Sequence, residues 1–261
     1  MLLADVVIEA QGITKSFGHV QALRGASLQV RAGEILALIG DNGAGKSTLT
    51  KILCGALAPD GGELIFMGQR TRLQSVGHAH ELGVETVYQD LAQAPDLTVA
   101  ENMFLGREPL RTGLGRLFGT LARGRMQRET EEALGRLGIS LPSLRVPIRQ
   151  LSGGQRQAVA VARAAMWASR AILMDEPTAA LGTKQTRIVY RTMRSAAARG
   201  LAVVVISHDI PRMLKLAHRL AIMRHGVVIA TLTAADTNLT EVISLMLGTQ
   251  ADPSGEDYLD D

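Results

Sequence analysis

Eight consecutive residues, Gly40-Asp41-Asn42-Gly43-Ala44-Gly45-Lys46-Ser47, have the composition of a loop that wraps a phosphate group. Gly40, Gly43 and Gly45 tolerate the unusual dihedrals that turn successive backbone N–H groups inward around a β-phosphate. Lys46 adds a cation at the β/γ oxygens, and the Ser47 hydroxyl is suited to ligate Mg²⁺. The cofactor-binding stretch is taken to run through Thr48. Such a loop needs a strand before it and a helix after it. The apolar run Glu34 to Ile39 and the stretch Lys46 to Ala56 supply both.

Further along, the apolar strand Ala171 to Met174 runs into Asp175 and Glu176. Paired acids at a strand end are usually only solvated. Downstream of a phosphate loop, Asp175 is placed to hold Mg²⁺ through water and Glu176 to polarise the attacking water as a general base. Gln89, after the strand Val84 to Tyr88, offers an amide oxygen to complete the Mg²⁺ shell. His208 follows the β-branched run Leu201 to Ile206, where a neutral imidazole would meet the γ-phosphate. Catalytic roles thus fall to Lys46, Glu176 and His208, and metal ligation to Ser47, Gln89 and Asp175. The other histidines, His19, His78, His80, His218 and His225, read as surface residues. Phe17, in the polar stretch Lys15 to Gly18, suits stacking on adenine; the competing reading is a local packing anchor.

Leu151-Ser152-Gly153-Gly154-Gln155 opens a helix that continues through Arg163. A helix N-terminus presents free N–H groups and the positive end of its dipole. The chain's own phosphate loop already holds one nucleotide, so this second anion site calls for a phosphate bound by another chain. That argues for a head-to-tail dimer with two shared ATP molecules, contacted by Ser152, Gly153, Gly154 and Gln155.

The elements that carry these residues alternate in type. Short strands are expected at Val6 to Ala10, Ala26 to Val30, Glu34 to Ile39, Glu63 to Met67 and Val84 to Tyr88, with a turn at Pro59-Asp60-Gly61-Gly62. From about residue 91 to 150 helices and loops take over. Met126, Thr130, Ala133, Leu134 and Leu137 share one face there, as in a helical subdomain inserted into an α/β core. A helix from Thr183 to Arg199 and strands Arg219 to Arg224 and Val227 to Leu232 close the core. Residues 6–248 make one ATP-binding domain. Residues 249–261, with five acids and no base, read as a disordered tail.

A chain of 261 residues fits one large core with a smaller appended subdomain. A formal charge of +3 is too small to indicate nucleic-acid binding, and none is expected. The single cysteine, Cys54, excludes an internal disulfide and suits a reducing compartment. No apolar run approaches the ~18 residues that span a bilayer. The N-terminus does not read as a signal peptide, so any membrane role is expected to come through a partner.

Taken together, the phosphate loop, Gln89, Leu-Ser-Gly-Gly-Gln, Asp175-Glu176 and His208 resemble the ATP-binding cassette (ABC) family, over about Ile8 to Leu247. The resemblance implies an α/β P-loop NTPase fold: a RecA-like core, an antiparallel β subdomain and an inserted α-helical subdomain. It implies ATP and Mg²⁺ as cofactors, with Ser152 and Gly154 touching ATP on the opposite subunit. It also implies transmembrane permease subunits docked on the helical subdomain and the Gln89 region, at the cytoplasmic face of the cell membrane. One departure is informative: the family usually has Asp in the loop after the paired acids, and Ala179-Ala180-Leu181-Gly182 has Gly182. That bears on communication between subunits and leaves hydrolysis untouched. With Glu-Thr-Val-Tyr-Gln before the loop and Asn102 to Glu108 after it, the chain is similar to the fructose-, ribose- and xylose-import branch. A periplasmic or extracellular sugar-binding protein is then an indirect partner. Competing readings are a cassette for a non-sugar cargo, a soluble ABC ATPase of translation or repair, and a non-hydrolysing regulatory cassette. The arginine-rich segment Arg107 to Arg125 reads as a solvated loop, with permease or lipid-headgroup contact as the alternative.

Overall fold

The computed structural model describes residues 5–88, 90–113, 119–178 and 181–248. Gln89, Ala179 and Ala180, and the acidic segment 249–261, are outside the described residues. Strands β1 (Val6–Phe17), β2 (Val20–Arg31), β4 (Gly61–Phe66) and β5 (Gln69–Arg70) form an antiparallel sheet in the order β2-β1-β4-β5. On β2 the buried Ala26, Leu28 and Val30 alternate with Ser27 and Gln29, the period expected of a strand with one dry face.

The second sheet has β3 (Ile35–Ile39), β6 (Val84–Val87), β7 (Ala171–Asp175), β8 (Ala202–Ile206), β9 (Arg219–Arg224) and β10 (Val227–Thr233), in the order β10-β9-β3-β8-β7-β6. Every pairing in it is parallel except β10 with β9. Both β3 and β8 are buried along their full length because helices or the first sheet cover both faces. Parallel alignment brings the C-terminal ends of β3, β7 and β8 to one edge, where ligands of open α/β sheets collect.

Helix α1 (Lys46–Leu53) packs its Leu49, Ile52 and Leu53 into a core shared with the antiparallel sheet. The opposite face is covered by α5 (Gly153–Trp167), α6 (Thr183–Ala198), α7 (Ile210–Leu216) and α8 (Leu239–Leu247). Between these come α2 (Val76–Glu81), α3 (Val99–Met103) and α4 (Arg123–Arg136). The expected face of α4 is dry: Met126, Thr130, Ala133 and Leu134 are buried, in a third core that reaches Ala158, Val159 and Ala162 of α5. Sequence periodicity missed α2, α7 and α8 because helices of two turns or so are too short to display a 3.6-residue period. It also shortened β1 and β2, whose register shifts at Ala10/Ile13 and Lys15/Ser16 break the simple alternation.

Asn102 ties the chain leading into α3 to the helix itself. It is fully buried, and its amide donates to the carbonyls of Ala94 (3.0 Å), Leu97 (3.1 Å) and Thr98 (3.1 Å). Its Oδ1 accepts from the Ala94 N–H at 2.8 Å. Replacing it strands several buried backbone groups. Asn102→Ala should lower stability by about 2–4 kcal/mol, read as a shifted denaturant midpoint, with faster amide exchange across 94–98.

Candidate nucleotide site

Two glycines of the phosphate loop leave no room for a side chain. Gly40 has φ 157° and a Cβ there would lie 2.1 Å from the Met223 carbonyl oxygen. Gly45, at φ 101°, would set its Cβ 2.6 Å from the Ala22 carbonyl oxygen. Gly45 is also the N-cap of α1 and offers no side-chain cap, so the first-turn N–H groups are left for a bound anion. The Lys46 ammonium donates to the carbonyls of Gly40 at 2.7 Å and Asp41 at 2.8 Å, which fixes it inside the curve of the loop. Burial pulls its pKa below the ordinary lysine value, and the charges of Glu176, Asp41 and Asp175 oppose that pull.

Asp175 ends β7 two strands from the loop, with β8 between them. Burial raises its pKa; the hydrogen bond from Ser47 works against the rise, and the charge of Glu176 adds to it. The Ser47 hydroxyl and the Asp175 carboxylate thus meet as hard oxygen donors beside the loop, a set that suits Mg²⁺ completed by phosphate and water. The next residue leaves the strand abruptly: Glu176 has φ 47°, a left-handed conformation that is strained for a non-glycine residue. Its N–H donates to the Ile206 carbonyl at 3.1 Å, tying the kink to β8. The Glu176 carboxylate meets His208, whose Nδ1 lies 3.3 Å from Glu176 Oε2. His208 is 72% exposed, accessible to anything bound at this edge.

Ser152 caps α5 in a reciprocal box: the Gln155 N–H donates to Ser152 Oγ at 3.3 Å, and the Ser152 N–H to Gln155 Oε1 at 2.9 Å. The helix lies on β6 and points its N-terminus to the same sheet edge as the phosphate loop. In the order β3-β8-β7-β6 that strand stands three places from β3. Gly154 is pressed by Gln185 of α6, whose Cγ would be 2.1 Å from a Cβ there. Gly182 caps α6 without a side-chain acceptor, and Gln185 Oε1 would lie 3.0 Å from a Cβ at that position too.

Phe17 is the last residue of β1 rather than part of a loop, and β pairing with Val20 leaves it 50% exposed. Lys15 Nζ sits 5.9 Å from its ring and pairs with Asp60 at 2.6 Å. Two further surface expectations need correction. His218 is not a free surface histidine, because its Nδ1 accepts from the Ile35 N–H at 2.9 Å. Arg107 is not a solvated member of its loop: it pairs with Glu85 of β6 at 2.7 Å and lies 5.1 Å from the Trp167 ring. Trp167 in turn donates to the Met103 carbonyl at 2.8 Å and meets Phe104 edge-on at 5.4 Å. Arg163 of α5 adds hydrogen bonds to the carbonyls of Leu91 and Ala92, both at positive φ, just past the Gln89 position. None of Arg163, Trp167 or Gln185 stood out in the sequence, where they are unremarkable members of helices, and Glu85 drew notice only as part of the Glu-Thr-Val-Tyr-Gln run.

A sequence profile described as ABC transporter matches residues 23–179. The chain belongs to the ABC transporter family. This cassette is 41% identical over 251 residues to the fructose import ATP-binding protein of Rhizobium meliloti, covering 95% of this chain and 96% of that one. It is 42% identical over 240 residues to the xylose/arabinose import ATP-binding protein of Sulfolobus acidocaldarius, covering 92% and 93%. Among solved structures it is similar to the ADP conformation of an ATP-binding cassette of an ABC transporter (TM-score 0.76, 26% identity, 95% and 96% covered). It is also similar to a dimeric bacterial ABC transporter cassette (TM-score 0.73, 25% identity, 87% and 98% covered). The cassette is a nucleotide-binding ATPase of mixed α/β fold, and no helix among the described residues is long and apolar enough to cross a membrane.

Like charge at Glu176 adds to burial in raising the Asp175 pKa. In the nucleotide-free cassette Asp175 should titrate above the ordinary aspartate value, and Glu176→Gln should move the midpoint down. Carboxyl-carbon NMR across the acid range reads it, and an unchanged midpoint would mean that the two groups do not sense each other.

Proposed function

We propose that the chain is the ATP-hydrolysing, energy-coupling subunit of an importer for a monosaccharide of the fructose, ribose or xylose kind. The observation that carries the catalytic part is the meeting of Lys46, Ser47, Asp175, Glu176 and His208 at one sheet edge. The loop N–H groups and Lys46 bind and orient the β/γ-phosphates, and Phe17 receives the adenine ring. Ser47 and, through water, Asp175 would hold Mg²⁺, with Gln89 as a further candidate ligand, and the ion would supply charge neutralisation at those phosphates. Glu176 accepts a proton from the attacking water, and His208 holds the γ-phosphate end and keeps the carboxylate aimed. The capped N-terminus of α5 and the likeness to a dimeric ABC transporter cassette support a head-to-tail pair in which Ser152, Gly153, Gly154 and Gln155 close on the partner's ATP. Residues 6–248 act as one ATP-binding domain, with about 91–150 docking on permease subunits at the cytoplasmic face of the membrane.

The sugar assignment is supported by the names of the two relatives matched over nearly their whole length, both import ATP-binding proteins for sugars. A secreted or periplasmic sugar-binding protein completes the system indirectly.

For the chemistry, Glu176→Gln should keep ATP affinity within a few-fold, cut turnover by about 10²–10⁴ and accumulate an ATP-bound dimer on size-exclusion chromatography. Turnover near that of the unchanged protein would remove Glu176 from the role of base. For the cargo, deleting the gene from its host should abolish high-affinity uptake of one monosaccharide and leave amino-acid uptake intact. Normal uptake of all pentoses and hexoses, with a defect elsewhere, would refute the sugar assignment and leave the ATPase standing.

A further inference from the structure

A groove of about 530 Å³ runs between α6 and α7 on the outer face of the large sheet, away from the phosphate loop's own wall. Arg187, Arg191 and Arg194 line it from one face of α6, and Arg212 and Lys215 from α7. Among the described residues no carboxylate lines it. Arg212 alone of these cations has a carboxylate partner among the described residues, Asp209 at 3.1 Å; Arg194 donates to the Lys215 carbonyl at 3.1 Å. Like charges three and four residues apart weaken both helices unless an anion lies between them.

Thr186 and Tyr190 also line the groove, with their hydroxyls closed off from solvent. The cationic side chains are therefore what the groove presents, and a segment rich in carboxylates is the partner that suits them.

A segment of matching charge begins one helix away. The chain's excess of cations lies entirely before residue 249, and residues 249–261 hold Asp252, Glu256, Asp257, Asp260 and Asp261 with no base. Helix α8, which delivers the chain to residue 248, packs beside α7. Packed helices stand about 8–10 Å apart, and thirteen extended residues reach about 40 Å, so the span is well within range.

We propose that the groove between α6 and α7 is the intramolecular seat of the acidic segment 249–261. Helix α6 starts directly after Gly182, and α7 directly after His208 and Asp209. A segment bridging the two helices ties together the two loops that flank Glu176, so its seating is a regulatory contact on the ATP site.

Carbodiimide coupling of the full-length protein at low salt, followed by peptide mass spectrometry, tests this. Lys215 should join the carboxylates of 252–261 within one chain. The link should be lost in about 1 M salt, where the screening length falls to ~3 Å, and in Arg187→Glu/Arg191→Glu/Arg194→Glu. Truncation before Thr249 should raise deuterium uptake several-fold over 187–194 and 212–215. Links spread evenly over Lys15, Lys51 and Lys215 would overturn the proposal. So would links formed only between isotopically light and heavy chains, which would mean a second copy as occupant, or uptake that truncation leaves unchanged.

Discussion

A lysine ammonium drawn into a ring of backbone carbonyls is the interaction around which this molecule is arranged. Lys46 gives up much of its water, and the carbonyls of Gly40 and Asp41 replace only part of it. Carboxylates, Glu176 first and Asp41 and Asp175 after it, offset part of the remainder. Delivery of Glu176 and Asp175 requires β7 to run parallel to β3 and end at the same edge, which requires the helical crossovers on the outer face. The loop's tight curvature in turn requires Met223 and Ala22 to approach so closely that only glycine fits at Gly40 and Gly45. One charged group thus sets limits on strand direction, strand order and backbone shape at once.

The helical region is joined to this frame by an apolar core shared with α5 and by a small number of polar ties. Glu85 of β6 holds Arg107, and the Arg107 guanidinium covers Trp167, which fixes Met103 and Phe104. Arg163 holds the chain at Leu91 and Ala92; burial lowers its pKa, and the charge of Glu85 offsets part of that. Because β6 leads into the Gln89 position, these ties connect the strand beside the nucleotide edge to the surface on which a permease would dock. Directional contacts of this kind suit a part that has to turn as a body while staying registered to the core.

Much of the nucleotide edge was legible in the sequence because phosphate binding leaves so few chemical options. Glycine spacing, a lysine and a hydroxyl after a buried strand, and acids ending another strand each have a physical reason that is local in the chain. The fold class followed from near-continuous apolar runs such as Val203 to Ile206, since only a strand covered on both faces is that dry. What stayed hidden depends on contacts between distant segments. Arg107 read as a solvated arginine because its partner Glu85 is 22 residues earlier on a strand interior. His218 read as surface because its hydrogen bond goes to a backbone N–H 183 residues away. Phe17 read as a loop residue because the register shifts of β1 hide the strand's true length.

The pressing of Gln185 against Gly154 has a consequence for how the family can vary. The first turn of α5 owes its bare backbone to a side chain on a different helix that leaves no space for a methyl group. A substitution at Gly154 is therefore tolerable only after position 185 has shrunk, and a bulkier residue at 185 locks glycine in place. Such an order of events is a ratchet: two sites with no shared chemistry become historically dependent, and relatives should show them changing as a pair or not at all.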